Sequence, residues 1–378
     1  MSTLHIATRS RPRHSGWDDW FGGRLHLDLL LLSLLLTLGA VGLLVLYSAS
    51  GHSVAAVISQ AQRLAIGLTV MVLAAQATPE MYRAASPWLY AATTVLLILT
   101  LILGDHAKGA QRWLDLGILR FQPSELMKLA MPLCMAAFLH ARPLPPNWLT
   151  VGVAVALLGI PSVLVMLQPD LGTALLIITA GGFALFFSGL GWRWIFGALA
   201  AVAAAAPILW NRLHDYQRQR ILTLLDPESD PLGTGYHITQ SKIAIGSGGT
   251  FGKGWMEGTQ AKLDFLPESH TDFIFAVFAE ELGLIGVIAL LLLYLTIVAR
   301  GLFIALRAQD TFQRLVAGAL SMTFFVYVFI NMGMVIGLLP VVGVPLPLIS
   351  FGGTSMVSML AGFGILMSIH THRKLLSN

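Results

Sequence analysis

The sequence has few charged residues for its length, and this scarcity excludes most soluble folds. Only 11% of its 378 residues are charged, whereas soluble globular proteins have about 25%. A chain with so little charge and a mean hydropathy of +0.76 is typical of a polytopic membrane protein. The formal net charge of +4 is too small to indicate nucleic-acid binding.

Disulfides and nucleotide-binding loops are also missing. Cys134 is the single cysteine, so no intramolecular disulfide can form. The glycine-rich stretch GSGGTFGKG (246–254) is not a phosphate-binding P-loop, because Gly254 follows Lys253 where that motif requires Ser or Thr. Its glycines are better explained by tight turns.

No spacing of zinc ligands is present. His214, Asp215 and His237 are the nearest approach to one, and they do not match a metal-binding motif. The sequence therefore assigns no metal ligand, and a divalent cation is the one cofactor that it leaves open.

Long apolar runs predict an all-α membrane protein with about ten transmembrane helices. A helix crosses a bilayer with about 20 apolar residues. The first run is too long for a cleaved signal and no A-x-A-like site follows it, so we interpret it as a retained span. The predicted spans are 29–48, 57–76, 84–104, 124–141, 148–167, 171–189, 192–210, 271–299, 313–337 and 347–369. The predicted organisation is a cytoplasmic segment 1–28, a membrane domain 29–370 and a cytoplasmic tail 371–378.

The distribution of basic residues predicts the orientation. Twelve of the 23 Lys and Arg residues, but only five of the 19 Asp and Glu residues, lie in or beside the short segments on the side of the termini. By the positive-inside rule, both termini are then cytoplasmic. The one long loop, about 211–270 between the seventh and eighth spans, becomes extracytoplasmic. Within it, YHITQSKIAI predicts a short amphipathic helix.

Ionisable residues at membrane depth are expensive, so they are candidates for function. Glu125 and Lys128 lie three residues apart on one helix face, where they can pair. Either they form a structural ion pair or they line a cavity, and the sequence does not decide between these. Asp170, in QPDLGT, stands at the mouth of the sixth span.

The stretch FLPESHTDFIFAVFAEELG (265–283) places carboxylates at the start of the eighth span. Asp272 is either a helix cap or a functional group at the membrane surface. Glu280 and Glu281 cannot share one helix face with it at 100° per residue, and we expect at least one of them to be a buried structural partner. A lone histidine such as His270 is more often neither a base nor a ligand.

Two further features point to a cavity near the outer face. The stretch VVGVPLPLISFGGTSM (341–356) breaks a span with prolines and glycines, which predicts a loop or a re-entrant element beside a wet cavity. Arg218, Arg220 and Lys242, in the long loop, could bind an anionic ligand.

Six motifs in order resemble the SEDS family (shape, elongation, division and sporulation), and its RodA branch in particular rather than the FtsW branch. They are KGAQRWLDLGILRFQPSELMK (108–128), QPDLGT (168–173), DYQRQRI (215–221), LLDPESDPLGTGYHITQSKIAIGSGGTFGKGWMEGTQ (224–260), FLPESHTDFIFAVFAEELG and PLPLISFGG (345–353). The resemblance extends from about His26 to Lys374.

The resemblance implies a ten-span peptidoglycan glycosyltransferase in the cytoplasmic membrane. Such an enzyme would polymerise lipid II, the undecaprenyl-pyrophosphoryl disaccharide-pentapeptide, at the outer face during cell elongation. Its implied partners are a class B penicillin-binding protein and other membrane proteins of the elongation complex, with no nucleic acid.

The same resemblance implies roles for individual residues. The essential aspartate of the family corresponds to Asp272, and its carboxylate suits the chemistry because joining a sugar hydroxyl to an anomeric carbon needs a base. The glutamate and lysine of the family correspond to Glu125 and Lys128. Positive charge must stabilise the undecaprenyl pyrophosphate that leaves, and an inverted linkage results. The predicted cavity and substrate-binding residues are Glu125, Lys128, Asp170, Arg218, Arg220, Lys242 and His270.

Two other functions compete with this interpretation. A flippase for the same lipid-linked sugar would also use a buried Glu–Lys pair and broken helices. It should show polar residues on both faces of its cavity and internal pseudo-repeats, whereas here the carboxylates and long loops cluster on one side. A scaffold that only positions a partner would not explain ionisable residues inside spans.

Overall fold

The computed structural model describes residues 25–372 except 108–109, 116–119, 213–214, 231–232, 264 and 267. Most of the predicted cytoplasmic segment 1–28 and of the predicted tail 371–378 therefore lies outside the described residues, as does His214. In chain order the elements are α1 (Leu29–Ala49), α2 (Val54–Gln76), α3 (Pro79–Leu103), β1 (Asp105–Ala107), β2 (Ala110–Asp115), β3 (Arg120–Phe121), α4 (Pro123–His140), α5 (Trp148–Leu167), α6 (Leu171–Phe187), α7 (Trp192–Arg212), α8 (Asp215–Leu225), a 3₁₀ turn (Pro227–Ser229), α9 (Thr234–Gly248), α10 (Thr259–Lys262), α11 (Ile274–Leu306), α12 (Thr311–Val335) and α13 (Thr354–Thr371).

The chain is an all-α multi-pass membrane protein apart from one small sheet. A helix lies at each of the ten predicted spans, and seven of these helices are long and apolar enough to cross a membrane: α1, α2, α3, α5, α11, α12 and α13. Two shorter apolar helices lie at α6 and α7. The three short strands form an antiparallel sheet in the order β1-β2-β3, within the predicted second polar loop.

Polar side chains at the N-termini begin most of the long helices. In each case a side-chain oxygen accepts a hydrogen bond from the backbone N–H three residues later, which satisfies a donor that has no partner within the helix. The capping residues are Asp28, Ser53, Thr78, Asn147, Asp170 and Asp310. Three long helices, α4, α11 and α13, start without such a bond.

Contacts between loops place them at two opposite ends of the helices, as expected for a chain that crosses a membrane back and forth. At one end Ser269 Oγ donates to the Ala49 carbonyl, which joins the long loop to the α1–α2 turn. At the opposite end Asp28 binds Arg300, with an O–N distance of 2.7 Å, and Ser368 Oγ donates to the Ala77 carbonyl.

Helix α11 is broken at Gly283, which was not predicted. Its φ of 63° is left-handed, a conformation that glycine adopts without a steric penalty. At 1.5 Å per residue the 33-residue element is about 50 Å long, which is more than the bilayer core of about 30 Å needs. The segment after Gly283 is long enough to cross by itself, so 274–282 form an extra half-helix, buried at each residue from Ile274 to Glu281.

The glycine-rich stretch 246–254 fills this break. It pairs its backbone with the groups that the break leaves open: Lys253 N to Glu280 O, Gly254 N to Glu281 O, Leu284 N to Gly249 O and Ile285 N to Thr250 O. A Cβ at Gly252 would lie 2.1 Å from the Glu281 carbonyl oxygen, and one at Gly283 would lie 2.2 Å from the Gly252 nitrogen. The glycines are therefore required by close backbone contact as well as by turns.

Residues 336–353, the central loop, connect α12 to α13 and contain the predicted non-helical element. Its residues 346–350 are buried, so its carbonyl groups need internal partners. Gln60 Nε2 donates to Ser350 O at 2.9 Å, Tyr294 Oη to Pro347 O at 2.7 Å and Asn331 Nδ2 to Val344 O at 2.8 Å. Buried side chains of three helices thus hold a loop in place inside the protein.

Candidate active site

A polar cavity of about 260 Å³ lies where the loops of one end converge, and we call it the central cavity. It is enclosed by β2, the starts of α4, α6 and α13, the C-terminal half of α12 and the central loop. The charged and polar side chains that line it are Arg112, Gln122, Glu125, Lys128, Asp170, Thr173, Tyr327, Thr354 and Ser355. Three predicted site residues, Glu125, Lys128 and Asp170, are therefore brought together.

Glu125 and Lys128 form an ion pair and also line the cavity. The sequence left a structural pair and a cavity lining as alternatives, and both are present. The distance from Lys128 Nζ to Glu125 Oε1 is 2.7 Å, and both side chains are less than 10% exposed. Ser358 Oγ donates to the second oxygen of Glu125 at 2.9 Å. The ammonium group of Lys128 also lies 5.0 Å from the ring centre of Tyr327, a cation–π distance.

Asp170 caps α6 and binds a cation, Arg112, that no sequence pattern indicated. Its carboxylate accepts from the Thr173 backbone N–H at 3.1 Å and from the Thr173 hydroxyl at 3.0 Å. Arg112 Nε lies 3.4 Å from Asp170 Oδ2, and Arg112 Nη2 donates to the Pro169 carbonyl at 2.6 Å. Arg112 is inside a motif of the family resemblance, but no local pattern distinguishes it from other loop arginines.

The starts of two uncapped helices add partial positive charge to the same cavity. Gln122 at the start of α4 and Gly353 at the start of α13 both line it, and neither makes a side-chain cap bond. Free N–H groups at a helix start attract anions. The charges of Arg112 and Lys128 are offset by Asp170 and Glu125, so the free N–H groups at these two helix starts add donors for an anionic group to an otherwise balanced site.

Asp272 lies at the edge of the central cavity and is not the cap of α11, so that alternative was wrong. The helix begins at Ile274, and its capping position is Phe273, which makes no side-chain cap bond. A Cβ at Gly343, which lines the cavity, would lie 3.5 Å from Asp272 Oδ2. Asn331 Nδ2 donates to the backbone oxygen of Asp272 at 3.0 Å and so joins this residue to the central loop.

The two glutamates of α11 are buried, as expected for at least one of them. Glu280 is 0% exposed and forms an ion pair with Lys253 at 2.6 Å. It also accepts from the backbone N–H and the hydroxyl of Thr259, both at 2.9 Å. Glu281 accepts a hydrogen bond from the Ser48 hydroxyl. Glu280 therefore fixes the glycine-rich stretch to the broken helix.

The structure separates the remaining predicted binding residues from the central cavity. Arg220 lines an adjoining cleft of about 100 Å³ that shares Arg112 and Asp170 with it. Arg218 donates instead to carbonyl oxygens at the end of α7, at 2.9 Å, and the exposed Lys242 lies beside Gly337. These two cations do not line the central cavity, because α8 and α9 direct them elsewhere.

Two histidines lie near the segment that carries Asp272. His270 lines a second, larger cavity, described below. His237 stacks on Phe273, with ring centres 5.5 Å apart. Burial lowers the pKa of His237 by more than nearby Glu268 and Asp230 raise it, which favours the neutral ring. Among the described residues, no group of three or more His, Cys, Asp or Glu side chains is placed to hold a metal ion.

Comparison with known proteins identifies the family. The profile of the FtsW/RodA/SpoVE cell cycle proteins matches residues 28–375. The chain is 56% identical to the peptidoglycan glycosyltransferase MrdB of Escherichia coli K12 over 358 residues, which are 94% of this chain and 97% of that protein. It is 38% identical to the probable peptidoglycan glycosyltransferase FtsW of Geobacter metallireducens, over 92% of this chain and 95% of that protein.

Comparison with solved structures identifies the same family. A chain from a peptidoglycan synthase complex in which polymerization and crosslinking are coordinated superposes with a TM-score of 0.81 at 33% identity, covering 92% of this chain and 99% of that one. The rod shape determining protein RodA of Thermus thermophilus superposes with a TM-score of 0.71 at 30% identity, covering 93% of this chain and all of that one. The chain therefore belongs to the FtsW/RodA/SpoVE family, as its motifs predicted.

Proposed function

We propose that this protein is a peptidoglycan glycosyltransferase that polymerises lipid II for cell elongation. The observation that carries the proposal is the meeting of Arg112, Lys128 and two uncapped helix starts in one cavity with the Asp272 carboxylate at its edge. This arrangement offers positive charge for a pyrophosphate and a base for a hydroxyl. The 56% identity to MrdB, a peptidoglycan glycosyltransferase, supports it.

In the proposed reaction Asp272 acts as the general base. Its carboxylate takes the proton of the acceptor sugar hydroxyl while the hydroxyl oxygen bonds to the anomeric carbon of the donor. The bond from that carbon to the pyrophosphate oxygen breaks, and undecaprenyl pyrophosphate leaves with the electron pair. Attack opposite the leaving group inverts the linkage. Arg112 and Lys128 would stabilise the negative charge that develops on the pyrophosphate.

The test is polymerisation of lipid II by the purified full chain in detergent. We expect glycan strands, with a larger yield when a class B penicillin-binding protein is added, because one structural relative is a chain of a synthase complex. A flippase would make no polymer, since it forms no glycosidic bond. Repeating the assay with a chelator measures the contribution of a divalent cation.

We propose that both termini and the α3 start face the cytoplasm, and that the central cavity opens outside. The support is the basic bias of the short segments. A reporter fused after Gln240 should then read as extracytoplasmic and one fused after Asn378 as cytoplasmic. The opposite result at Gln240 would place the cavity on the side where the proposed reaction does not occur. The proposed domains remain 1–28, 29–370 and 371–378.

A further inference from the structure

A second cavity, of about 720 Å³, lies next to the central one and is not used by the reaction described above. Small-molecule sites have volumes of about 300–1,000 Å³, so it is large enough for sugar rings. It is enclosed by the α1–α2 turn, residues 266 and 268–270, Glu281 and the ring of Phe351. Its polar lining includes Ser50, His52, Ser53, Glu268, Ser269 and His270.

The charges of the two cavities differ. The central cavity contains Arg112 and Lys128, whereas none of the described residues that line the second cavity is Lys or Arg. Among the described residues, both cavities contain two carboxylates: those of the central cavity, Glu125 and Asp170, are paired with its two cations, whereas Glu268 and Glu281 line the second cavity. A pyrophosphate is therefore favoured in the central cavity, and the second cavity suits an uncharged ligand rich in hydroxyl and amide groups.

Aromatic rings next to His52, which lines this cavity, fit the same kind of ligand. The rings of Tyr47 and His52 have centres 5.5 Å apart, and those of Tyr47 and Trp255 have centres 6.3 Å apart. Trp255 is 49% exposed. Flat rings beside hydroxyl and carboxylate groups provide both the apolar faces and the polar partners that a sugar ring requires.

Backbone geometry provides a separate indication of function. His52 and Glu268 have φ values of 66° and 56°, which are uncommon for residues other than glycine. Both residues line the second cavity, from different segments. Strained residues concentrate at binding and catalytic sites, and here the strain orients two polar side chains toward one space.

A short stretch of backbone around Phe351 and Gly352 lies between the two cavities. Phe351 N donates to the His270 carbonyl at 2.9 Å, and both residues line the second cavity. Gly352 lines the central cavity, and so does Gly343, the glycine beside Asp272. A chain of linked sugars bound in the second cavity would thus end beside the proposed base.

We propose that the second cavity binds uncharged sugar rings of the glycan strand, next to the reaction site. The proposal rests on the proposed function, since it assigns to this cavity a part of the same polymer. Its consequence is that the cavity retains the strand between successive couplings and so sets the length of the product.

Binding is tested with chitotetraose, the uncharged β-1,4-linked tetramer of N-acetylglucosamine, by calorimetric titration of the full chain in detergent. The test variants are His52→Asn, which keeps a residue that tolerates positive φ, and Trp255→Ala. The control is Trp88→Ala, which removes an exposed tryptophan from α3. We expect the parent and the control to bind equally, and both test variants to bind about fivefold more weakly, the effect of losing one contact.

Product length is read in the lipid II assay with the same variants, after each has been shown to melt like the parent. We expect His52→Asn and Trp255→Ala to make shorter strands than the parent and than the Trp88→Ala control. Absence of chitotetraose binding by the parent, or equal binding by all variants, would overturn the proposal, as would unchanged strand lengths. Because the titration needs no turnover, a parent that binds the tetramer but makes no polymer would refute the proposed function alone.

Discussion

Replacing Asp272 with asparagine is expected to lower the rate of lipid II polymerisation by about 100-fold or more, the usual effect of removing a positioned base. The amide keeps the size of the side chain but does not accept a proton. The helix start is expected to stay intact, because Asp272 is not the cap of α11. The bond from Asn331 to the Asp272 backbone oxygen also remains, so the variant should melt like the parent.

The variant Asp272→Glu distinguishes the effect of the position of the carboxylate from the effect of its charge. The longer side chain keeps the carboxylate but moves it by about one methylene group, and such displacements impair catalysis strongly. We expect this variant to be severely impaired as well. His270→Ala should have a smaller effect, since His270 lines the second cavity and takes no part in the proposed proton transfer.

The matched control for Asp272→Asn is Asp310→Asn. Asp310 caps α12 through a bond to the Gln313 N–H, on the opposite side of the membrane domain, and asparagine caps a helix about as well. This variant loses one carboxylate without touching the central cavity, and it should polymerise normally. Near-normal polymer from Asp272→Asn would contradict the assignment of the base, and Glu125 would then be the first alternative to test.

The ten helix positions could be predicted because each apolar run is local and about as long as a bilayer is thick. The break in α11 could not, since apart from Glu280 and Glu281 the sequence is apolar on both sides of Gly283. The break depends on backbone contacts with residues 249–254, more than 20 positions earlier in the chain. Hydropathy contains no signal for such an insertion.

The candidate active site, like the fold, could be predicted only in part from the sequence. Glu125 and Lys128 were predictable as a pair, because a spacing of three places both on one helix face. Arg112 was missed because its partner, Asp170, lies on a different element and only the fold brings the two together. Arg218 and Lys242 were predicted from charge and loop position alone, and the directions of α8 and α9 take them away from the central cavity.

The roles of the central ion pair can be separated by substitution. Lys128→Ala leaves the Glu125 carboxylate buried, with Ser358 as its remaining partner among the contacts described above. Removing one member of a buried pair costs about 3–5 kcal/mol of stability, so this variant should melt well below the parent. Ser358→Ala, which removes one hydrogen bond to the buried carboxylate and keeps the pair, should cost less, about 1.5–3 kcal/mol.

The double variant Glu125→Gln with Lys128→Met removes both charges at similar side-chain volume. Replacing a buried ion pair with neutral groups of similar size is often neutral or stabilising, and the glutamine oxygen can still accept from Ser358. We therefore expect the double variant to melt close to the parent and well above Lys128→Ala. It should nevertheless make little polymer, because the central cavity has lost the cation at Lys128 that would stabilise the pyrophosphate. Full polymerisation by a well-folded double variant would show that the pair serves stability alone, and Arg112 would then be left as the cation of the central cavity that acts on the leaving group.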